Sequence, residues 1–341
     1  MAELTAAIVL AAGKGTRIKS SIPKVLLPMN GRSLVGHAND AVVGAGAQHI
    51  VFVVRHEREQ VAAHISQINP GATIVDQDDI KGTGRAAWCG LQGLPANLEG
   101  SVLIMAGDSP MFTADTLAEL ARVHRAGSNA VTVLSTVVED ATGYGRIMRD
   151  EAGGVIGIVE HKDATPEQLK IREIGTSTYV FDIAFLRESL DTLDTNNSQG
   201  EMYLTDVVAR AHELGAGVGS FVLEDSVQAE GVNDLVQLAT LRAEKNRRIQ
   251  EAWMRTGVHI VDPATTHIDV DVRLEPDSIV QPGTVLRGTT RVAAFAVVGP
   301  NTELDSVDVG ERAVVAHAVV VGTKIAPGEV VSPFSTRNTN K

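Results

Sequence analysis

Between residues 268 and 331 an aliphatic side chain returns with a six-residue period. The series runs Ile268, Leu274, Val280, Leu286, Val292, Val298 and Leu304, then after a five-residue step Val309, Val315 and Val321, then Ile325 and Val331. A helix repeats every 3.6 residues and a simple strand every two, so neither can be the repeating unit. Proline and glycine stand between the aliphatics, at Pro276, Pro282-Gly283, Pro300 and Pro327-Gly328. A period of six with turn residues at the corners marks a parallel β-helix, in which each side buries its aliphatic against the next coil. About three coils are expected here, and core packing is what these residues do. Such coils commonly assemble, and a homotrimer through the β-helix is the expected state.

Up to about residue 225 the texture is different. Short apolar runs at Ala6–Leu10, His49–Val54, Thr73–Val75, Ser101–Ala106 and Ala130–Thr136 read as strands. They alternate with helix-like stretches at Ser33–Ala45, Glu57–Ile65, Gly84–Gly90 and Thr113–Ala126. Thr113, with Asp115 and Thr116 after it, has the small polar cap and early acid of a helix start. Alternating strand and helix predicts an α/β fold whose mostly parallel sheet is covered on both faces. In such sheets ligands sit beyond the carboxyl ends of the strands. From Asn233 to Arg255 one long helix is expected, with Leu235, Leu238, Leu241 and Ile249 as its apolar positions and Gly257 as its stop. It reads as a connector, dividing the chain into residues 1–229, 230–256 and 257–341.

The first strand leads into Leu10-Ala11-Ala12-Gly13-Lys14-Gly15-Thr16-Arg17, with Pro23-Lys24 beyond. Glycines let backbone N–H groups approach phosphate oxygens, and spaced cations offset the remaining charge. Between Glu3 and Asp40 there is no acid, yet Lys14, Arg17, Lys19, Lys24 and Arg32 all fall there in a chain of net charge −12. Neither the Walker spacing nor G-x-G-x-x-G is present, and a tight turn with solvated lysines is the plainer alternative. The negative balance argues against a nucleic-acid or membrane-surface partner. Cys89 is the single cysteine, so no disulfide framework or cysteine-rich metal site is expected. The apolar start lacks a basic lead-in and breaks at Gly13-Lys14, so it reads as a strand and not a signal peptide. A cytoplasmic location is the expectation.

Further short motifs follow in order: Gln77 with KGTGRAA (81–87), AGDSP (106–110), TGYGRI (142–147), GIVEHKDAT (157–165), QGEMYLTD (199–206) and AEGVND (229–234). With LAAGKGTR, PKVL and the six-residue repeat, this set resembles the bacterial bifunctional N-acetylglucosamine-1-phosphate uridyltransferase/glucosamine-1-phosphate acetyltransferase family, to about residue 335. The resemblance implies a Rossmann-like, mixed and mostly parallel nucleotidyltransferase domain, a linker helix and a short left-handed parallel β-helix. It implies uridyl transfer from UTP to a hexose 1-phosphate, N-acetylglucosamine 1-phosphate by family analogy, with Mg²⁺ as cofactor. The nucleophile of that reaction is already ionised, so positioning and charge stabilisation are what a protein must supply.

By the same resemblance Leu10, Ala11, Ala12 and Gly13 wrap the nucleotide, and Arg17 and Lys24 act catalytically on the phosphates. Gln77, Gly82 and Thr83 read the uracil edge, which a side-chain amide can match. Asp108 and Asn233 are the implied Mg²⁺ ligands, and such ions favour few protein oxygens plus substrate phosphate. Locally, Asp108 also reads as a turn aspartate before Pro110, and Asn233 as a helix cap beside Asp234. Gly145 and Glu160 are implied to hold the sugar, with Glu201, Tyr203, Thr205 and Asp206 near it; Thr205 and Asp206 also read as local caps. Gly175 stands where the family has an asparagine that contacts the sugar, and Thr176 or Ser177 could supply the missing hydrogen bond. The chain ends before the coils that carry the family's acetyltransferase residues, so no acetyl-CoA activity is expected, and residues 338–341 read as an unstructured end. Two alternatives stand beside this: the same transfer on another sugar such as glucose 1-phosphate, or a non-catalytic nucleotide-sugar-binding assembly protein.

Overall fold

The computed structural model describes residues 4–338. It forms two compact units, one made of residues up to Leu27 with Ser33–Asp234, the other of Pro28–Arg32 with residues from Leu235 onward.

The first unit is built on strand β1 (Ala6–Leu10). Ala6 and Ile8 enter one core with Val53 and Ile104, while Ala7 and Val9 enter a second with Phe52 and Met105. Both faces of β1 are therefore covered, which is why its sequence is a continuous apolar run. The chain continues through α1 (Leu34–Gly44), β2 (His49–Val54), α2 (Arg58–Ile68), β3 (Thr73–Asp76), α3 (Thr83–Gln92), β4 (Ser101–Ala106) and α4 (Ala114–Ala126). Then come β5 (Val131–Val137), β6 (Arg146–Arg149), β7 (Val155–Val159), β8 (Glu173–Asp182), α5 (Ile183–Leu190), α6 (Asp206–Glu213) and β9 (Val218–Leu223). The main sheet has the order β9-β5-β8-β4-β1-β2-β3, with the β6–β7 pair joined to β8. β8 runs antiparallel to β4 and β5, and the other pairs along that order are parallel. Ser33 and Thr113 cap α1 and α4 by accepting from Gly36 N and Thr116 N.

The packing of α4 has a consequence for pH. His124 is buried, its Nδ1 lying 3.1 Å from Thr132 Oγ1. Burial lowers its pKa from 6.5 to about 4, against a small opposing pull from Asp182. Between those values the unfolded chain takes up a proton that the folded chain refuses, so stability is present above pH 6.5 and falls as pH drops toward 4. The group's share of that loss is about 3 kcal/mol. Urea unfolding at pH 7 and pH 4.5 should show this drop, and His124→Asn should flatten it.

In the second unit three ladders of parallel strands hold five, five and four strands, each strand pairing with the one three places earlier. This three-sided stack is the architecture of the left-handed β-helix. Ile268 lies beside Leu286, Leu286 beside Leu304, and Leu304 beside Val320. The first two steps span 18 residues and the third 16. That shortening moves the core position: Val320 is fully buried, and Val321, expected there, is only partly so. The ladder also begins earlier than expected, with Ile260 beside Val280. The described strands complete four turns and two sides of a fifth, more than the three expected. Asn338, expected in an unstructured end, pairs with Val321 in the strand Thr336–Asn338, while residues 339–341 lie outside the described ones.

Helix α7 (Leu235–Arg255), expected as a connector, is bound to the start of this coil. Asn246 donates to Thr266 O at 2.8 Å and accepts from Ile268 N at 3.0 Å, and Ile249 and Trp253 pack on the coil core. Leu238 and Leu241 are buried, whereas Leu235 faces solvent. The segment Pro28–Arg32 belongs here as well. Asn30 and Gly31 turn with φ of 46° and 85°, and a Cβ on Gly31 would come within 2.7–2.9 Å of the Asp269 side chain. Only glycine fits that approach. Arg32 pairs with Asp271 at 2.7 Å.

Candidate active site

The register of the central strands sets the place. Leu10 lies beside Val53 and Ala106, so β1, β2 and β4 end together. The loop after β1 is pinned on both sides, by Ala11 N to Val53 O at 2.8 Å and Gly107 N to Leu10 O at 2.9 Å. Ala11 and Ala12 are buried, and the chain then emerges so that Gly13, Lys14, Thr16 and Arg17 are exposed. Ile18 is buried again, its N–H donating to Gly15 O at 2.9 Å. Lys24 sits in the short turn Lys24–Leu26 behind Pro23, its stem against Gly15.

Four of the expected residues meet here from distant parts of the chain. Lys24 Nζ pairs with the Asp108 carboxylate, both side chains being largely buried. Arg17 donates to Asn233 Oδ1 at 2.5 Å across 216 residues of sequence. Val232 N donates to Asp108 O at 3.0 Å, which ties the segment before α7 to the end of β4. A carboxylate and an amide oxygen therefore converge where two cationic groups already face them. That donor set has the hardness and charge that Mg²⁺ requires. Among the described residues no group of three or more His, Cys, Asp or Glu could hold a metal, so substrate oxygens would have to complete such a site.

The loop before α3 forms a second group. Gln77 Nε2 donates to Ile80 O at 3.0 Å and Gly82 O at 3.3 Å. Gly82 has φ of 116°, and a Cβ there would lie 2.2 Å from Met202 O. Met202 N donates to Lys81 O at 2.9 Å and Gly84 N to Met202 O at 2.8 Å. Thr83 Oγ1 accepts from Leu204 N at 3.1 Å, so its hydroxyl fastens the loop.

The third group lies along the β6–β7 pair and β8. Thr205 Oγ1 donates to Glu160 Oε1 at 3.1 Å. Thr205 precedes α6 without capping it by its side chain; the hydroxyl goes to Glu160 instead. Burial raises the Glu160 pKa, the Thr205 hydrogen bond opposes this, and Asp206, Asp163 and Glu201 add to the rise. Burial, Asp194 and Asp163 raise Asp206 likewise. Gly145 lies beside the Glu160 carboxylate, and its carbonyl accepts from Gly175 N at 3.0 Å. Tyr203 OH donates to Asp163 Oδ2 at 3.2 Å. Gly175 is buried with the methyls of Ile158 and Ile147 over it, so the floor here is apolar. Thr176 does not replace the missing amide, because its hydroxyl donates to Leu134 O at 2.8 Å inside the sheet. Ser177 is exposed with φ of 57°, in the irregular step between Gly175 and Tyr179.

Two neighbours were not singled out from the sequence. Burial raises the Tyr144 phenol, with Glu230 and then Asp108 adding to it, so this ring lies near the carboxylate site. Arg146 is 2 % exposed, and the signal for it is a lone cation in an otherwise glycine-rich and apolar motif.

A glycine loop, paired cations and a carboxylate–amide oxygen pair stand at the aligned ends of parallel strands, and the comparisons with known proteins make the chain a nucleotidyltransferase. A family model described as the MobA-like NTP transferase domain matches residues 7–160. The bifunctional protein GlmU of Pseudarthrobacter chlorophenolicus is 52 % identical over 332 residues, which is 97 % of this chain and 68 % of the relative. The bifunctional proteins GlmU of Kineococcus radiotolerans and Micrococcus luteus are 49 % and 46 % identical over 97 % of this chain, covering 67 % and 69 % of their own lengths. The chain belongs to the GlmU family.

Proposed function

We propose that the first unit forms UDP-N-acetylglucosamine and pyrophosphate from UTP and N-acetylglucosamine 1-phosphate. The observation that carries this is the meeting of Arg17, Lys24, Asp108 and Asn233 at the ends of β1 and β4, within one unit that also holds the Gly145–Glu160 wall. A phosphate oxygen of the sugar 1-phosphate attacks the α-phosphorus of UTP, the bond to the β-phosphate oxygen breaks, and pyrophosphate leaves. The attacking group carries its own charge, so no side chain needs to remove a proton.

The residues supply alignment and positive charge. Leu10, Ala11, Ala12 and Gly13 present backbone to the nucleotide, while Gln77, Gly82 and Thr83 face the uracil. Arg17 and Lys24 meet the phosphates. Asp108 and Asn233 would hold Mg²⁺, which when bound neutralises phosphate charge and polarises the α-phosphoryl group. Gly145 and Glu160 accommodate the sugar, the carboxylate accepting from its polar hydrogens. Among the described residues no helix is long and apolar enough to cross a membrane. A cytoplasmic location and a homotrimer through the β-helix complete this proposal.

The apolar floor at Gly175 favours one second reading, the same transfer on a sugar such as glucose 1-phosphate. Pyrophosphate release measured over a panel of sugar phosphates separates the two. N-acetylglucosamine 1-phosphate is expected to be the best acceptor; faster turnover of glucose 1-phosphate would favour the second reading.

A further inference from the structure

Arg146 begins β6 between the two strands that carry the sugar wall. It stands opposite Val159 on β7, one residue before Glu160, and opposite Ile174 on β8, one residue before Gly175. Its side chain is buried, yet among the described residues no carboxylate forms an ion pair with it. One terminal nitrogen donates to the Tyr144 carbonyl, the other approaches His161 Nδ1 at 3.4 Å, and Nε has no partner. Exposed Asp140 is held low chiefly by Thr142, with Arg146 a lesser contributor. A buried cation with a carbonyl and an imidazole for company is costly to the fold. A methionine, similar in bulk though shorter, would fill most of the space without a buried charge. The arrangement makes sense as function: the guanidinium links Tyr144, the residue before Gly145, to His161, the residue after Glu160.

We propose that Arg146 is a positioning residue for the sugar 1-phosphate. It clamps the backbones that carry Gly145 and Glu160 at a fixed separation, by holding the Tyr144 carbonyl on one side and the His161 ring on the other. Lysine keeps the charge but loses the two-armed geometry that spans both walls. This rests on the assignment of Gly145 and Glu160 to the sugar, so Glu160→Gln is assayed alongside.

The test is steady-state kinetics with both substrates varied, together with thermal melting. Arg146→Met is expected to raise the KM for N-acetylglucosamine 1-phosphate about tenfold or more, with kcat and the KM for UTP within about threefold. Its melting temperature should hold or rise, because an unpaired buried charge is gone. Arg146→Lys should fall between it and the wild type. A sugar KM unchanged in Arg146→Met, or both KM values rising together with a fall in melting temperature, overturns the proposal. If the methionine variant does not fold, a sugar KM unchanged in Arg146→Lys overturns it equally. When Glu160→Gln raises the sugar KM and neither Arg146 variant does, the sugar site stands and only the role of Arg146 fails. When none of the three changes it, the sugar assignment itself is wrong.

Discussion

Asp108→Ala is expected to lower kcat by about a thousandfold while the protein stays folded. In the proposed function its carboxylate is the charged oxygen that would hold the metal, and it is paired with Lys24 where Arg17 meets Asn233. Without it the amide oxygen of Asn233 alone cannot hold a divalent cation beside a triphosphate. The fold depends on Asp108 less than the chemistry does. Its backbone bond to Val232 survives any side-chain change, as does the bond from Gly107 N to Leu10 O. What is lost is the ion pair with Lys24, and leaving that ammonium largely buried and unpartnered costs about 1–3 kcal/mol. Asp108→Asn keeps the shape and an acceptor for Lys24, and should lose nearly as much rate with a smaller loss of stability. Pyrophosphate release and far-ultraviolet circular dichroism check both halves. A variant that turns over within tenfold of the wild type would remove Asp108 from the metal site.

Gly82→Ala should be nearly as severe for a different reason. At φ 116° a side chain is strained, and the new Cβ would sit 2.2 Å from the Met202 carbonyl and 2.6 Å from its nitrogen. Both contacts are backbone, so neither can swing away. The strain of such a conformation is about 1–3 kcal/mol, before the clash is counted. The loop must therefore leave Met202, breaking the bonds of Lys81 and Gly84 to it and the Gln77 contact with Gly82 O. The expected result is a rise of at least about tenfold in the KM for UTP, with a lowered melting temperature. A KM for UTP equal to the wild-type value would show that this loop does not touch the nucleotide.

Much of this was legible in the sequence because the relevant signals were periodic or local. The two-faced burial of β1 follows from five apolar residues in a row, and the solenoid from a six-residue return of aliphatics. The slip to Val320 was not legible, because Val319, Val320 and Val321 are adjacent valines and only the register with Leu304 decides which points inward. Strands β6 to β9 were missed for a related reason. They are antiparallel or peripheral, and Gly175 and the Ser/Thr run after it dilute the apolar pattern of β8.

At the site, glycines and cations in one loop announced themselves, whereas the pairing of Arg17 with Asn233 is a tertiary fact spanning most of the first unit. The family motifs supplied the residues there; spacing alone could not join them. The hydroxyls of Thr83, Thr176 and Thr205 show the same limit from the other side. Their residue type says that they hydrogen-bond, and only the fold says that Thr176 is committed to Leu134 while Thr205 reaches Glu160.

In the proposed function the first unit grips a triphosphate whose charge is balanced by protein cations and a divalent ion. Isothermal calorimetry of the whole chain with UTP, in the presence and absence of Mg²⁺, tests it most directly. One UTP is expected to bind per chain, more tightly with Mg²⁺, and Asp108→Ala is expected to lose that enhancement. No detectable binding of UTP under either condition would contradict it.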